Sequence, residues 1–152
     1  MATCHLKRPT GPTGTYSAER VSHANEALIH LNSAPNVVLG GDMNWEESTD
    51  GAFPLLLKWK DAWLSLRPEE DGYTYDTRSN GMLHHSRMLQ RRLDRFVCKL
   101  KDFEMISVDI IGTEVIPGIS YKSNGKKLPV FPSDHYGLIL TICPKCSAYG
   151  ET

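Results

Sequence analysis

The sequence predicts an α/β fold, and three observations carry that prediction. Between Ser17 and Leu31 the residues Val21, Ala24, Leu28 and Leu31 recur at spacings of three and four, which lays one apolar stripe along a helix. Val37-Val38-Leu39 is an apolar run too brief for a helix and rich in β-branched residues, hence a buried strand, and it runs directly into Gly40-Gly41-Asp42-Met43-Asn44. A series of strand-like segments separated by turn-rich loops then fills the rest of the chain.

The elements follow in order. Thr3–Leu6 reads as a short opening strand, and Pro9-Thr10-Gly11-Pro12-Thr13-Gly14 as a loop. Ser17 is placed to cap the helix and Glu19 suits its positive end. Pro35 and Asn36 break the chain before the buried strand. Ala52–Leu66, with Phe53, Leu56, Leu57, Trp59, Trp63 and Leu64, reads as one or two helices interrupted near Pro54 and ended before Pro68. Tyr73–Asp76, Arg92–Lys99, Phe103–Ile111 and Gly137–Ile142 read as strands.

At 152 residues, with 40% apolar and 23% charged, the chain suffices for one globular domain. A formal net charge of −1 excludes nucleic-acid binding through overall basicity, so any such binding needs a local patch. No apolar run approaches the roughly 20 residues that cross a bilayer, and Met1–Pro12 lacks the apolar centre of a signal peptide; the expectation is an intracellular protein without a membrane partner. Cys4, Cys98, Cys143 and Cys146 are too few and too unevenly spaced for a disulfide framework. Cys143-Pro144-Lys145-Cys146 resembles half of a zinc site, whose other ligand pair would have to come from a longer parent protein.

Four places carry chemistry. In Gly41-Asp42-Met43-Asn44 a carboxylate and an amide two residues apart end a buried strand, a common ligand position in α/β sheets. Asp42 suits a hard cation or a water nucleophile and Asn44 a phosphate oxygen, although a Gly-Asp turn alone would look the same. Ser133-Asp134-His135 sets a carboxylate beside an imidazole just before the last strand, as a phosphate-side donor or as a surface loop. Asp94 shares a strand face with Phe96 and Cys98 and needs a partner, either His135 or one of Arg92 and Arg95. His5 on the opening strand is either structural or catalytic. Arg87, Arg91, Arg92, Arg95, Lys99 and Lys101 form one basic cluster and Lys122, Lys126 and Lys127 a smaller one, each a phosphate contact or a solvated strand edge. The pair His84-His85 lacks a spacing partner for a metal site.

Thr3-Cys4-His5-Leu6, Gly41-Asp42-Met43-Asn44, Leu93-Asp94-Arg95-Phe96 and Ser133-Asp134-His135, in that order, resemble the endonuclease/exonuclease/phosphatase superfamily. Asp61-Ala62-Trp63 and Gly72-Tyr73-Thr74-Tyr75-Asp76 extend the likeness, and Tyr73–Thr77 with Phe131–Gly137 look most like its tyrosyl-DNA phosphodiesterase branch. The resemblance implies part of a four-layer α/β sandwich, two facing sheets with outer helices, with residues 2–142 as a partial domain, residues 143–152 as a short tail and the N-terminal half missing. It implies a Mg²⁺-dependent phosphodiester hydrolase, with Mn²⁺ as the alternative ion, acting on DNA 5′ ends to remove tyrosyl adducts in the nucleus. Asp42 would orient the nucleophilic water, Asn44 and His135 would stabilise the pentacovalent phosphate, and His5 would add a further donor. Asp94 and Asp134 would support the histidine and metal region, Asp134 as the metal-side residue because the family's glutamate ligand has no counterpart here. Tyr75 stands at a substrate-side position where the branch has tryptophan, and Glu46 follows where it has a basic residue. A half-domain would expose an apolar sheet face, to be covered by the missing half or a protein partner. Two other readings are a non-catalytic module that binds DNA ends or protein, and a phosphatase of small phosphate esters.

Overall fold

The structure is a computed structural model that describes residues 1–9, 16–83 and 88–146. Residues 10–14 of the expected loop, the pair His84-His85 and Arg87 lie outside the described residues. The elements run β1 (Ala2–Thr3), α1 (Ser17–Leu31), β2 (Asn36–Asp42), α2 (Glu47–Asp50), β3 (Lys60–Asp61), α3 (Ala62–Leu66), β4 (Tyr75–Asp76), β5 (Gln90–Arg91), β6 (Asp94–Leu100), β7 (Phe103–Ile111), β8 (Ser120–Ser123), β9 (Lys126–Pro129) and β10 (Gly137–Pro144). A mixed sheet of order β1-β2-β6-β3 forms the centre, with β1 parallel to β2 and the other pairs antiparallel. β7 and β10 form a long antiparallel pair, and β4–β5 and β8–β9 are small ribbons.

Alternation along β2 and β6 sends the two sheet faces to different tasks. Val37 and Leu39 of β2, with Val97 of β6, point to one face, where Ala24 and Leu28 of α1 cover them; Trp45, Trp59, Met43 and Leu6 complete that core. Val21 and Leu31 of the expected stripe pack half-buried at its margin. The opposite face carries Val38, Gly40 and Asp42 against Cys98, Phe96 and Asp94. Its apolar part, with Leu140, Ile142 and Phe103, walls a half-open groove of about 260 Å³, the kind of uncovered sheet surface expected above.

Two glycines make the strand crossing work. The Phe96 ring lies over Gly40, where an added Cβ would meet it at 2.5 Å. Gly41 adopts φ +147°, and a Cβ there would sit 1.9 Å from the Cys4 carbonyl oxygen. That close approach lets Cys4 N–H donate to Gly40 O at 3.1 Å and Leu6 N–H to Asp42 O at 2.9 Å, so the ladder continues past β1 over most of the expected strand.

Two local expectations are corrected, a hairpin is added and one strand is extended. Ser17 does not cap α1: Tyr16 holds the cap position at φ 73° with no side-chain cap bond, and Ser17 Oγ donates instead to Thr49 O at 3.2 Å. Ala52–Leu66 is not helical throughout; only Ala62–Leu66 is, because Lys58 turns left-handed at φ 72° and buried Trp59 leaves any helical register to donate to Asn32 Oδ1 at 3.0 Å. The ribbon β8–β9 adds a hairpin turned by Asn124 (φ 49°) and Gly125 (φ 75°), the left-handed pair of a type I′ turn. The last strand also reaches Pro144, two residues beyond the expected end of strand at Ile142.

Candidate active site

Asp42 ends β2 and Asp94 begins β6, and the register sets them directly opposite on one face. Like charges so placed repel, so something must compensate them. His135, on the loop before β10, brings Nδ1 to 2.7 Å from Asp94 Oδ2, and His5 brings Nε2 to 3.4 Å from Asp42 Oδ2. One ligand atom each from Asp42, Asp94 and His135 falls within 4.8 Å of the others. The partner of Asp94 is therefore the histidine, while Arg92 turns to Asp61 at 2.7 Å.

Burial first, then the charge of Asp94, pushes the Asp42 carboxyl above its ordinary value, against the backbone N–H of Asn44 and the two histidines. The hydrogen bond to Asp94 raises the His135 imidazole, with burial opposing and the charges of Asp42 and Asp134 assisting. The centre is thus short of positive charge. A divalent cation fits that deficit: Asp42 and Asp94 offer the oxygen ligands a hard ion prefers, and an imidazole completes a set that Mn²⁺ also accepts.

The remaining expected residues share one cleft of about 650 Å³ with these three: His5, Asn44, Tyr75 and Asp134 all line it. Asn44, buried and left-handed at φ 47°, donates from its backbone to Asp42 Oδ1 at 2.8 Å and from its amide to Leu6 O at 2.9 Å and Asp42 Oδ2 at 3.2 Å. In this state its amide orients Asp42, and donation to a phosphate requires releasing one of those acceptors. Asp134 is exposed, accepts from Ser133 Oγ at 3.2 Å and stands outside the converging trio. The imidazole of His5 is 73% exposed, so it reaches over the cleft rather than into the core. Tyr75 meets His135 edge-on with ring centroids 5.2 Å apart. Burial and Asp134 raise its hydroxyl, with Arg8 and Arg91 opposing.

Buried polar residues lock the three motif segments together. Thr74 Oγ1 accepts from Leu93 N at 3.2 Å and Asp94 N at 3.0 Å, and Thr74 O accepts from Tyr136 N at 2.7 Å. Asn80 donates to Ser133 O at 2.9 Å and Asp134 O at 3.3 Å. Thr74 lay within a recognised segment, but nothing in the sequence marked Asn80, since a buried amide serving two distant carbonyls has no local pattern. The basic cluster is dispersed. Arg95 is buried against Glu47 at 2.6 Å and Asp61 at 3.4 Å, Arg92 is paired with Asp61, and Lys99 donates to the Asn32 carbonyl. Arg92 and Arg95 meet at Asp61, so their charges are neutralised there and at Glu47 rather than presented together as a basic patch. Among the described residues of the cluster, Arg91 alone lines the cleft.

No protein-family model matches the chain. Over 148 residues it is 31% identical to tyrosyl-DNA phosphodiesterase 2 of Xenopus tropicalis, covering 91% of this chain and 36% of that protein. Over 156 residues it is 29% identical to tyrosyl-DNA phosphodiesterase 2 of Mus musculus, covering 93% of this chain and 36% of that one. The chain thus spans little more than a third of the length of these relatives. Its fold matches the crystal structure of D. rerio TDP2 complexed with single strand DNA product at TM-score 0.73 and 23% identity, over 93% of this chain and 54% of that one. It also matches an endonuclease/exonuclease/phosphatase family protein from Bacteroides thetaiotaomicron at TM-score 0.61 and 14% identity, over 99% and 50% of the two chains. In sequence the chain is similar to part of tyrosyl-DNA phosphodiesterase 2, and in fold to about half of a TDP2 chain and of an endonuclease/exonuclease/phosphatase family protein.

Proposed function

We propose that this chain carries the phosphate-side groups of a Mg²⁺-dependent phosphodiester hydrolase that acts on DNA ends and removes 5′-tyrosyl adducts. The convergence of Asp42, Asp94 and His135 within 4.8 Å in one cleft carries the reading. The similarity to tyrosyl-DNA phosphodiesterase 2 and the DNA product bound in the D. rerio structure support the substrate class.

Asp42, short of counter-charge, accepts a hydrogen bond from the attacking water and aims its oxygen at phosphorus. His135 donates from Nε2 to a phosphate oxygen as negative charge grows there, while Asp94 holds Nδ1–H and so fixes the tautomer. Asn44 keeps Asp42 in place, and His5 reaches the same phosphate from the cleft rim. A Mg²⁺ ion, held by Asp42 and Asp94 when bound, would neutralise charge on the phosphate. The phosphorus–oxygen bond to the tyrosine phenol breaks, and the DNA keeps a 5′-phosphate. Positioning and charge stabilisation supply most of the rate in such transfers. A repair role places the protein in the nucleus. The uncovered apolar groove fits a further chain segment or a protein partner lying over that face.

The test is release of tyrosine from a 5′-tyrosyl oligonucleotide. Turnover with Mg²⁺ that EDTA or Asp42→Asn abolishes is expected. Binding of 5′-phosphorylated ends without cleavage would indicate a binding module, and hydrolysis of small phosphate esters with indifference to DNA a phosphatase; either replaces the proposal.

A further inference from the structure

Arg91 stands on the wall between two clefts. On one side lies the cleft of Asp42, Asp94 and His135; on the other lies a groove of about 520 Å³ lined by Glu46, Glu47, Glu69, Glu70 and Asp71. The backbone of Arg91 is fixed, because it pairs with Tyr75 across β4–β5 and its carbonyl accepts from Thr74 N at 3.0 Å. Its guanidinium is held as well: Nη2 lies 3.2 Å from Glu46 Oε1, with the two side chains 30% and 32% exposed. At that exposure the pair is screened by solvent, so it sets direction more than it cancels charge. A planar fork of five N–H donors can hold Glu46 and a phosphate oxygen together.

The chemistry of the surroundings gives the arginine a task. Asp42, Asp94 and Asp134 make the reacting cleft acidic, and the neighbouring groove is more so, so a polyanionic strand is repelled unless a cation receives it. Among the described residues, Arg8 and Arg91 are the arginines that line the reacting cleft, and Arg91 is the one seated on a strand. We propose that Arg91 binds a phosphate of a nucleic-acid strand next to the reacting one, that Glu46 is the positioning residue which aims it, and that the acidic groove beyond turns the strand toward Arg8. This rests on the phosphodiesterase reading above and names a residue that governs its substrate.

The experiment is fluorescence anisotropy of a 5′-phosphorylated single-stranded oligonucleotide with the full chain in EDTA, over a series of salt concentrations. Arg91→Gln is expected to weaken binding about five- to tenfold at low salt and to make the slope of log K against log salt shallower by about 0.7, the signature of one lost phosphate contact on a single strand. Arg91→Lys keeps the slope, because a point charge still meets the phosphate. Glu46→Ala, which removes the group that aims the guanidinium, is expected to weaken binding at low salt by less than Arg91→Gln does, and unchanged affinity would overturn the positioning role. A merely structural arginine would shift thermal stability and leave the slope of Arg91→Gln unchanged, and that result overturns the assignment while leaving the phosphodiesterase reading intact. A wild-type chain that neither binds the strand nor releases tyrosine overturns the underlying reading and the assignment with it.

Discussion

Replacing Asp50 by alanine tests how the loop that follows Asn44 is held. The side chains of Arg20 in α1 and Asp50 in α2 are both shielded from solvent, and Arg20 grips the carboxylate with two bonds, Nε to Oδ2 at 3.0 Å and Nη2 to Oδ1 at 2.7 Å. Arg20 Nη1 donates to Lys7 O at 3.1 Å, and Asp50 Oδ2 accepts from Glu46 N at 3.0 Å. The pair therefore ties α1 to the chain after β1 and to the loop that follows Asn44. Asp50→Ala strands a buried guanidinium, which costs about 3–5 kcal/mol. For a chain of this length that is a fall in Tm of roughly 6–20 °C. Thermal and urea unfolding measure it, and the double variant Arg20→Met/Asp50→Leu is the control, expected to recover most of the loss because it removes both charges. Asp50→Ala within about 1 kcal/mol of wild type, well below the cost of an orphaned buried charge, or a double variant no better than the single, would refute the reasoning. The acid side has a sign. Burial would raise Asp50, but the bonds from Arg20, Ser17 and the Glu46 backbone outweigh it and lower its pKa. The pair's contribution is then fully present above the ordinary aspartate value of about 3.9 and fades as pH falls through the depressed one.

Gly41→Ala forces a Cβ against the Cys4 carbonyl in a left-handed backbone, so a loss of about 3 kcal/mol or more is expected, read by urea unfolding. Thr74→Val leaves the amides of Leu93 and Asp94 without their acceptor at equal volume, for about 1–3 kcal/mol, and faster hydrogen exchange at those two amides should report it. The raised pKa of His135 means its ion pair with Asp94 is fully formed below the ordinary histidine value of about 6.5 and fades as pH rises through the raised one. NMR titration in EDTA should accordingly place the His135 midpoint above the ordinary histidine value, and Asp94→Asn should bring it back down.

The site was more legible than the scaffold. The residues expected to carry chemistry, from His5 to His135, line a single cleft, because they were found as short motifs in a fixed order and a fold preserves such order. Their supports were not legible. Asn80 reaches Ser133 and Asp134 across more than fifty residues, and no periodicity encodes such a bond. Tertiary contacts overrode local pattern in Ala52–Leu66, where Lys58 turns left-handed at φ 72° and the buried Trp59 donates to Asn32 Oδ1 at 3.0 Å instead of continuing a helix. Asn124-Gly125 carried a hairpin signal that the flanking lysines, Lys122, Lys126 and Lys127, obscured by weakening the apolar alternation. The basic cluster misled for the opposite reason: it was real in sequence, but alternation along β6 sent Arg95 inward to Asp61 and Glu47.

The central claim is that Asp94 and His135 act as one unit on the phosphate attacked by the water that Asp42 orients. The most direct measurement is tyrosine release from a 5′-tyrosyl oligonucleotide, in Mg²⁺, by wild type, Asp94→Asn, His135→Gln and the double variant. Groups acting as a unit are non-additive, so each single change should lower kcat by about 10²–10⁴-fold and the double change should be no worse than His135→Gln alone. Losses that multiply in the double variant, or either single variant turning over at the wild-type rate, would contradict the account.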